Sequence, residues 1–574
     1  MKEMGDRELD DSSYDVIWEK AAAKAKSRAD WWDHREISDP GVTLLEMWAV
    51  LCDMQSYYLN QIRESHYRGY LKLLGLPPDQ GECSRVWILF KDVKEDCTLP
   101  AGMKVLADTM VFETESEVRL TANHIRGFFK GAGRIPVSGM VYSRKDHLTL
   151  GREKVLFSFS LEKPVDGDSD FSFFILLKER RERNPPEKDF SLVKLGWSYR
   201  VGKEWQEAEV IRDDTQGLLR SGCVCLHMTI PGAAGEEGEF EIQCSVKEGK
   251  YDQMPTLFNI ALNATEVVQR DTLCCREDFF FSSRHKAELK SYLARTGEIQ
   301  VFAWQREDLW KDITAECTID PPIREGRQRR YVSFQGEGRI RIVASEKDFS
   351  KGYIPCPVTG VTSQQIVLPW KNILRDSVEL MLPQGEEGLY REYRQADPEE
   401  MRYDNVWHWT DQEGNIALGD GRHGDIPEAS QRGVVLTSLA LFEGIRGNVA
   451  INRIKTLRSP ELFRGLTCKN YMPGKGGRDS KSPSEQFREV RDMLMASKRI
   501  VTKDDAALLA KETPGLRIAE AQAEWRNGVI TVIICPKDSL EEEHKKIYKS
   551  AVEKYLEQYR PIGTGIRVEI GGKK

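Results

Sequence analysis

The stretch ALGDGRHGDIPEAS, residues 417–430, concentrates residue types that do chemistry. Gly419, Gly421 and Gly424 would let backbone amides cradle a phosphate, and Asp420, His423 and Asp425 offer donors to a metal. The competing reading is a tight turn. Glycine supplies positive φ without steric cost, an aspartate caps the turn through backbone amides, and Pro427 ends it. No partner residues recur at ligand spacing, so Gly419, Asp420, Gly421, Gly424 and Pro427 are read as a structural turn. His423 then has no catalytic or metal role.

Other candidates give less. Cys223, Cys225 and His227 alternate along an expected strand, which puts three soft ligands on one face. Zinc sites normally show paired spacing, however, and no CxxC pair occurs among the twelve cysteines. Adjacent Cys274 and Cys275 would point to opposite sides of a strand. His408 lies between Trp407 and Trp409, and His544 sits on the apolar side of the last helix; both read as packed or solvated side chains. The motifs G-x-S-x-G, H-E-x-x-H and G-x-x-x-x-G-K-[ST] are missing. No catalytic residue, metal or cofactor is expected.

The elements that would position these residues change along the chain. Residues 1–83 read as helical. Asp39 can cap a helix that begins at Pro40, with Thr43 and Glu46 as a second capping option. Leu44, Met47, Trp48, Leu51, Met54, Tyr58 and Ile62 then recur at spacings of three and four, and Tyr57 widens the stripe. A stripe this broad predicts contact with partners on more than one side. From Val86 to about residue 380 short alternating runs such as VWILFKDV, FSFFILLK and RIRIVAS predict strands. The glycine-rich PGKGGRDSKSPS reads as a domain boundary, with Gly474, Gly476 and Gly477 as hinge candidates.

The last hundred residues alternate helix and strand. Asn527-Gly528 signals a hairpin, and Ser539 with Glu542 a capping box for the final helix. The expected fold class is therefore multidomain α+β: an N-terminal helical region, a β-rich middle and a small C-terminal α/β sandwich-like domain. The expected divisions are 1–83, 84–255, 256–380, 381–475 and 484–574.

A chain of 574 residues with a formal net charge of −7 suits several soluble domains and argues against a dedicated nucleic-acid binder. No signal peptide is visible in MKEMGDRELDDSS, and no apolar run approaches the ~18 residues of a membrane span. Synthesis in the cytosol without membrane insertion is expected.

Three stretches together resemble the baseplate J-like wedge proteins of contractile phage tails and phage-tail-like injection systems. SDPGVTLLEMWAVLCDMQSYYLNQIRESHYRGYLKLLG is similar to the family's D-P-G-x-T-L-L-E-L segment. ALGDGRHGDIPEAS with FEGIRGNVAINRI resembles its G-D-G-x-x-G-x-x-P turn and G-N-V element. RIVTKDDAALLAKETPGLRIAEA, VITVIICP and YRPIGTGIRVEI resemble its C-terminal part. The resemblance implies a non-enzymatic wedge component. It would associate with a second wedge subunit, other copies of itself, the lysozyme-like sheath initiator and hub or spike proteins. Together these form a ring that couples triggering to sheath contraction. A carbohydrate-binding adhesin and a tail-tip cell-wall hydrolase are the alternatives.

Overall fold

The computed structural model describes residues 13–571 apart from 30, 32, 34–37, 61–62, 138–146, 166–167, 179–182, 186–190, 202–203, 230–239, 282–285, 324–328, 348, 350–355, 386–387, 397–403, 411–413, 460–461, 464 and 496–498. It divides into two compact units, Met1–Gly81 with Ser480–Ser497, and Glu82–Asp479 with Lys498–Lys574.

The smaller unit is helical. Tyr14–Arg28 packs on Pro40–Asn60, and Glu64–Leu73 packs on Pro483–Met495. Asp39 begins the second helix as expected, its Oδ1 accepting from the Gly41 amide at 2.6 Å. Asp53, inside that helix, accepts from the Tyr14 amide at 3.1 Å and so satisfies a donor at the start of the first helix. The rings of Tyr67 and Tyr70 lie 5.5 and 5.7 Å from that of Phe487. Ser482 and Glu485 cap Pro483–Met495 reciprocally.

In the larger unit, Leu309–Asp312 pairs with Glu298–Arg306 on one side and Leu389–Gln395 on the other. Gly338–Ser345, Asp271–Phe281, Val435–Leu441 and Glu379–Gln384 complete the circuit, closing a seven-stranded barrel. Closure removes the open edges that a sheet would otherwise expose. Alternation sorts the side chains: Ile340, Ile342 and Ala344 pack on one side of their strand, and Val343 joins Phe302, Trp310, Met381 and Tyr390 on the other. Arg341 shares that second side. It is 2% exposed, with its guanidinium 4.1 Å from the Trp310 ring and bonded to Asp278 and Glu392 at 2.9 Å each.

A six-stranded sheet combines Arg85–Lys91, Lys104–Ala107, Met110–Thr114, Ala264–Val268, Ile454–Leu457 and Thr467–Asn470. It draws strands from both sides of the expected divisions at 255 and 380. A ten-stranded sheet, running from Ile125–Lys130 to Thr256–Ala261 in the chain, wraps a core rich in phenylalanine around Trp197.

The expected fold class is corrected at the C-terminus. With 43% of the described residues in strands and 20% in helices, the fold is predominantly β, and among the described residues no separate α/β sandwich-like domain spans 484–574. Helix Pro483–Met495 belongs to the N-terminal unit. The rest shares one hydrophobic core with the β-rich middle: Leu509, Val532, Ile534, Tyr548 and Leu556 cluster with Phe157, Trp197 and Leu257. Polar contacts reinforce the join. Arg183 donates to Gly515 O at 2.6 Å, Asn184 to Lys511 O and Thr513 O at 2.8 and 2.9 Å, and Tyr548 Oη to Asp252 Oδ2 at 2.6 Å. The helix–strand alternation was legible in the sequence, but the long-range apolar match was not. The final helix begins at Glu542 with no side-chain cap, so the Ser539–Glu542 box does not form. Thr502 with Asp505 instead caps Lys503–Lys511.

Candidate interaction surface

Asp420 Oδ1 accepts from the amides of Arg422 and His423, both at 2.7 Å, and Oδ2 lies 2.9 Å from His423 Nδ1. The His423 amide and imidazole, then the Arg422 amide, hold the Asp420 carboxyl well below the usual range. The Gly421 amide closes the turn on Gly424 O at 2.8 Å. Positive φ falls on Gly421 (89°) and Gly424 (130°) only. Gly419 is there for close approach: a Cβ at this position would lie 2.4 Å from Asp425 O and from the Gly424 carbonyl. Pro427 is buried at the end of the turn. Gly419→Ala is expected to destabilise the larger unit by about 1–3 kcal/mol through this clash, and His423→Ala by under ~1 kcal/mol. Denaturation midpoints of the two variants check the order.

Cys223, Cys225 and His227 do share a face, the half-exposed one, while Val224, Leu226 and Met228 are buried. His227 is bracketed by carboxylates, Nδ1 to Asp170 Oδ1 at 2.8 Å and Nε2 to Asp168 Oδ1 at 3.0 Å. A neutral imidazole has one N–H, so both contacts are satisfied only by the imidazolium. The Asp170 hydrogen bond, with Asp168 adding charge, raises the His227 pKa. Because the folded value is raised, this contribution is complete below the ordinary histidine pKa and disappears as pH rises through the folded value. Asp170→Asn should move the His227 titration, followed by imidazole NMR, to lower pH. Cys274 is buried in one cluster and Cys275 packs against another, on opposite sides of their strand. Trp407 is fully buried with Trp409 edge-on at 5.3 Å, and His408 between them is half-buried. His544 is 4% exposed.

The hinge candidates lie in packed backbone. Gly474 N donates to Val449 O at 2.8 Å, Lys475 and Arg85 exchange backbone bonds, and Gly477 exchanges bonds with the Asn448 side chain. A Cβ on Gly474 would meet Ser84 Oγ at 2.7 Å, and one on Gly477 would meet Gly444 O at 2.4 Å. Gly476 has φ 86° with open space beside it. All three belong to the larger unit, whose border falls after Asp479.

The most unusual surface is on helix Pro40–Asn60. Val42, Ala49 and Ser56, seven residues apart, are its buried positions among the described residues. Small side chains at this repeat let the neighbouring helix approach closely. The sequence stripe points the other way. Leu44 (66% exposed), Met47, Trp48 (62%), Leu51 (53%), Met54, Tyr57 and Tyr58 are all exposed, with Val50 beside them. At 100° per residue these positions cover about half the helix circumference, opposite the Val42–Ala49–Ser56 line. Ile62, the last member of the expected stripe, lies outside the described residues. Soluble monomers rarely expose so many contiguous large apolar side chains, and such patches mark protein or membrane contacts. Among the described residues no helix is long and apolar enough to cross a membrane. The small-residue repeat was readable in the sequence but was hidden by the stronger bulky stripe.

Residues 13–69, which contain this helix, match the family model described as bacteriophage baseplate protein, N-terminal domain. No curated protein matches the chain. Among solved structures, a chain of the type VI secretion system TssK–TssF–TssG baseplate subcomplex is 8% identical, over 92% of this chain and 96% of that one, with a TM-score of 0.37. A chain of the anti-feeding prophage baseplate is 10% identical, over 96% of this chain and 70% of that one, with a TM-score of 0.28. At these TM-scores neither structure carries an argument, and the weight rests on the sequence match. Residues 13–69 therefore carry a match to the baseplate protein N-terminal domain, which supports reading the chain as a baseplate protein.

Proposed function

We propose that this protein is a non-enzymatic wedge component of the baseplate of a contractile injection system. In this reading it assembles with a second wedge subunit and further copies of itself into a ring around the hub and spike. The ring contacts the sheath initiator and couples triggering to sheath contraction. The observation that carries the proposal is the exposed apolar half of helix Pro40–Asn60 within the matched baseplate domain. Spacings of three and four suit a partner that is itself helical, because ridges formed by such rows interdigitate with those of another helix. Aromatic anchors such as Trp48 and Tyr58 are the residue types that dominate contact energies.

Co-expression of the chain with the other baseplate proteins of its own gene neighbourhood tests this. A stable complex that survives gel filtration is expected. A chain that remains monomeric with every one of them contradicts the proposal.

A further inference from the structure

A cavity of about 260 Å³ beside the Asp420 turn holds polar groups that the chain itself leaves unpaired. Strands Glu379–Gln384 and Leu389–Gln395 form one wall. Alternation puts Leu382 and Gln384, with Arg391 and Tyr393 on the neighbouring strand, on the face opposite Met381 and Tyr390. The other wall is Asn405 with Asp425–Glu428, the exit of the turn. Backbone bonds fix it: the Asp425 amide donates to Asp404 O and the Arg394 amide to Asn405 O, both at 3.0 Å. Tyr393 is 7% exposed with its ring in an apolar cluster, yet its hydroxyl has no hydrogen-bond partner among the described residues. Burial pushes that hydroxyl up to about 12, and the charges acting on it belong to Arg391, Asp425 and Glu428, all in the cavity wall. The hydroxyl therefore faces the cavity. Gln384 Oε1 is also buried without a partner among the described residues. Arg391 is half-buried, Asp425 and Glu428 are exposed, and none of the three forms an ion pair among the described residues.

A buried hydroxyl and a buried amide oxygen left unpaired each cost free energy, so an occupant that bonds both is favoured. We propose that this cavity binds a neutral saccharide ring through its hydroxyl groups. Arg391 and Asn405 supply donors, Gln384, Asp425 and Glu428 supply acceptors, and the Tyr393 hydroxyl is both. A sugar hydroxyl is also both, so a ring with hydroxyls around its rim can address all six. A cationic ligand would suit the carboxylates but meet the Arg391 charge, and an anion would meet two carboxylates. Charges of both signs, held apart, thus select against an ion. The size agrees: sites for drug-sized ligands start at about 300 Å³, so a slightly smaller cavity suits a single ring. Ile426, 41% exposed, and buried Pro427 offer apolar contact to its C–H groups. The inference rests on neither the baseplate match nor the helical surface.

Saturation-transfer NMR of the full chain tests this with the methyl pyranosides of glucose, galactose and mannose and with N-acetylglucosamine. At least one should bind with a Kd of roughly 1–10 mM. Tyr393→Phe deletes only the unpartnered hydroxyl, so the melting curve should be kept while affinity falls about three- to tenfold. Asp425→Asn preserves the shape of the wall and should weaken binding about tenfold, because a charged acceptor is lost. Arginine methyl ester serves as the cationic comparison. No saturation transfer to any of the four sugars at ~20 mM overturns the inference. So does sugar binding that neither variant weakens. Arginine methyl ester binding more tightly than every sugar, with loss in Asp425→Asn, would make this a cation site and overturn it too.

Discussion

Leu51→Glu should abolish co-assembly with the partner baseplate protein while leaving this chain folded. Leu51 is 53% exposed, so a carboxylate there is solvated in the free chain. In a helix-to-helix contact the same carboxylate would be buried without a cation. Loss of leucine burial removes about 1.5–3 kcal/mol, and desolvating an unpaired charge adds several more. Affinity should fall by more than ~1,000-fold, read by titration of the purified partner. Ala49→Glu is the matching control. Ala49 is fully buried, so this change should unfold the helical unit itself and be visible as lost helicity before any partner is added. A Leu51→Glu chain that binds as tightly as the parent would show that the exposed face is not the contact.

Lys104→Met is expected to be the most damaging single change in the larger unit. Lys104 is 1% exposed, and its ammonium lies 2.8 Å from Glu346 Oε1, 2.7 Å from Thr272 O, 2.5 Å from Asp271 Oδ1 and 3.6 Å from Glu113 Oε1. Burial pushes its pKa down, but Glu113, Asp271 and Glu346 outweigh that and hold it above the ordinary lysine value. The contacts join the six-stranded sheet, which supplies Lys104 and Glu113, to the barrel strand Asp271–Phe281 and to Glu346. Arg458 bonds Asp271 and Glu346 from a third segment. Methionine keeps much of the volume but leaves Glu113, also 1% exposed on its side chain, with Arg270 as its remaining cation. Removing one member of a buried ionic cluster costs about 3–5 kcal/mol. Urea denaturation of the larger unit should register that loss, and a change below ~1 kcal/mol would mean that the cluster relaxes or is solvated.

These two residues also mark what the sequence could and could not convey. The exposed helix was legible because Pro40, its Asp39 cap and spacings of three and four are local signals, and the Asn527-Gly528 turn is equally local. The turn around Asp420 was legible for the same reason, except that Gly419 serves the approach of Gly424 and Asp425 rather than a positive φ. Lys104 carried no signal. Its four partners are spread from Glu113 to Glu346, and a lysine on an alternating strand reads as a solvent-facing residue. The seven-stranded barrel was hidden likewise, because closure depends on Leu309–Asp312 meeting Leu389–Gln395 about eighty residues later. The C-terminal segment looked separate because its helices and strands are locally complete. Only the shared core with Phe157 and Trp197 shows that it folds as part of the β-rich unit.

The central claim, that the exposed half of helix Pro40–Asn60 is the assembly surface of a baseplate protein, is tested most directly by a photo-crosslinking amino acid placed at Trp48 in cells that build the particle. The account predicts a covalent adduct with another baseplate protein, present in purified particles and lost when Leu51→Glu is added. Free, uncrosslinked chain in intact particles would contradict it.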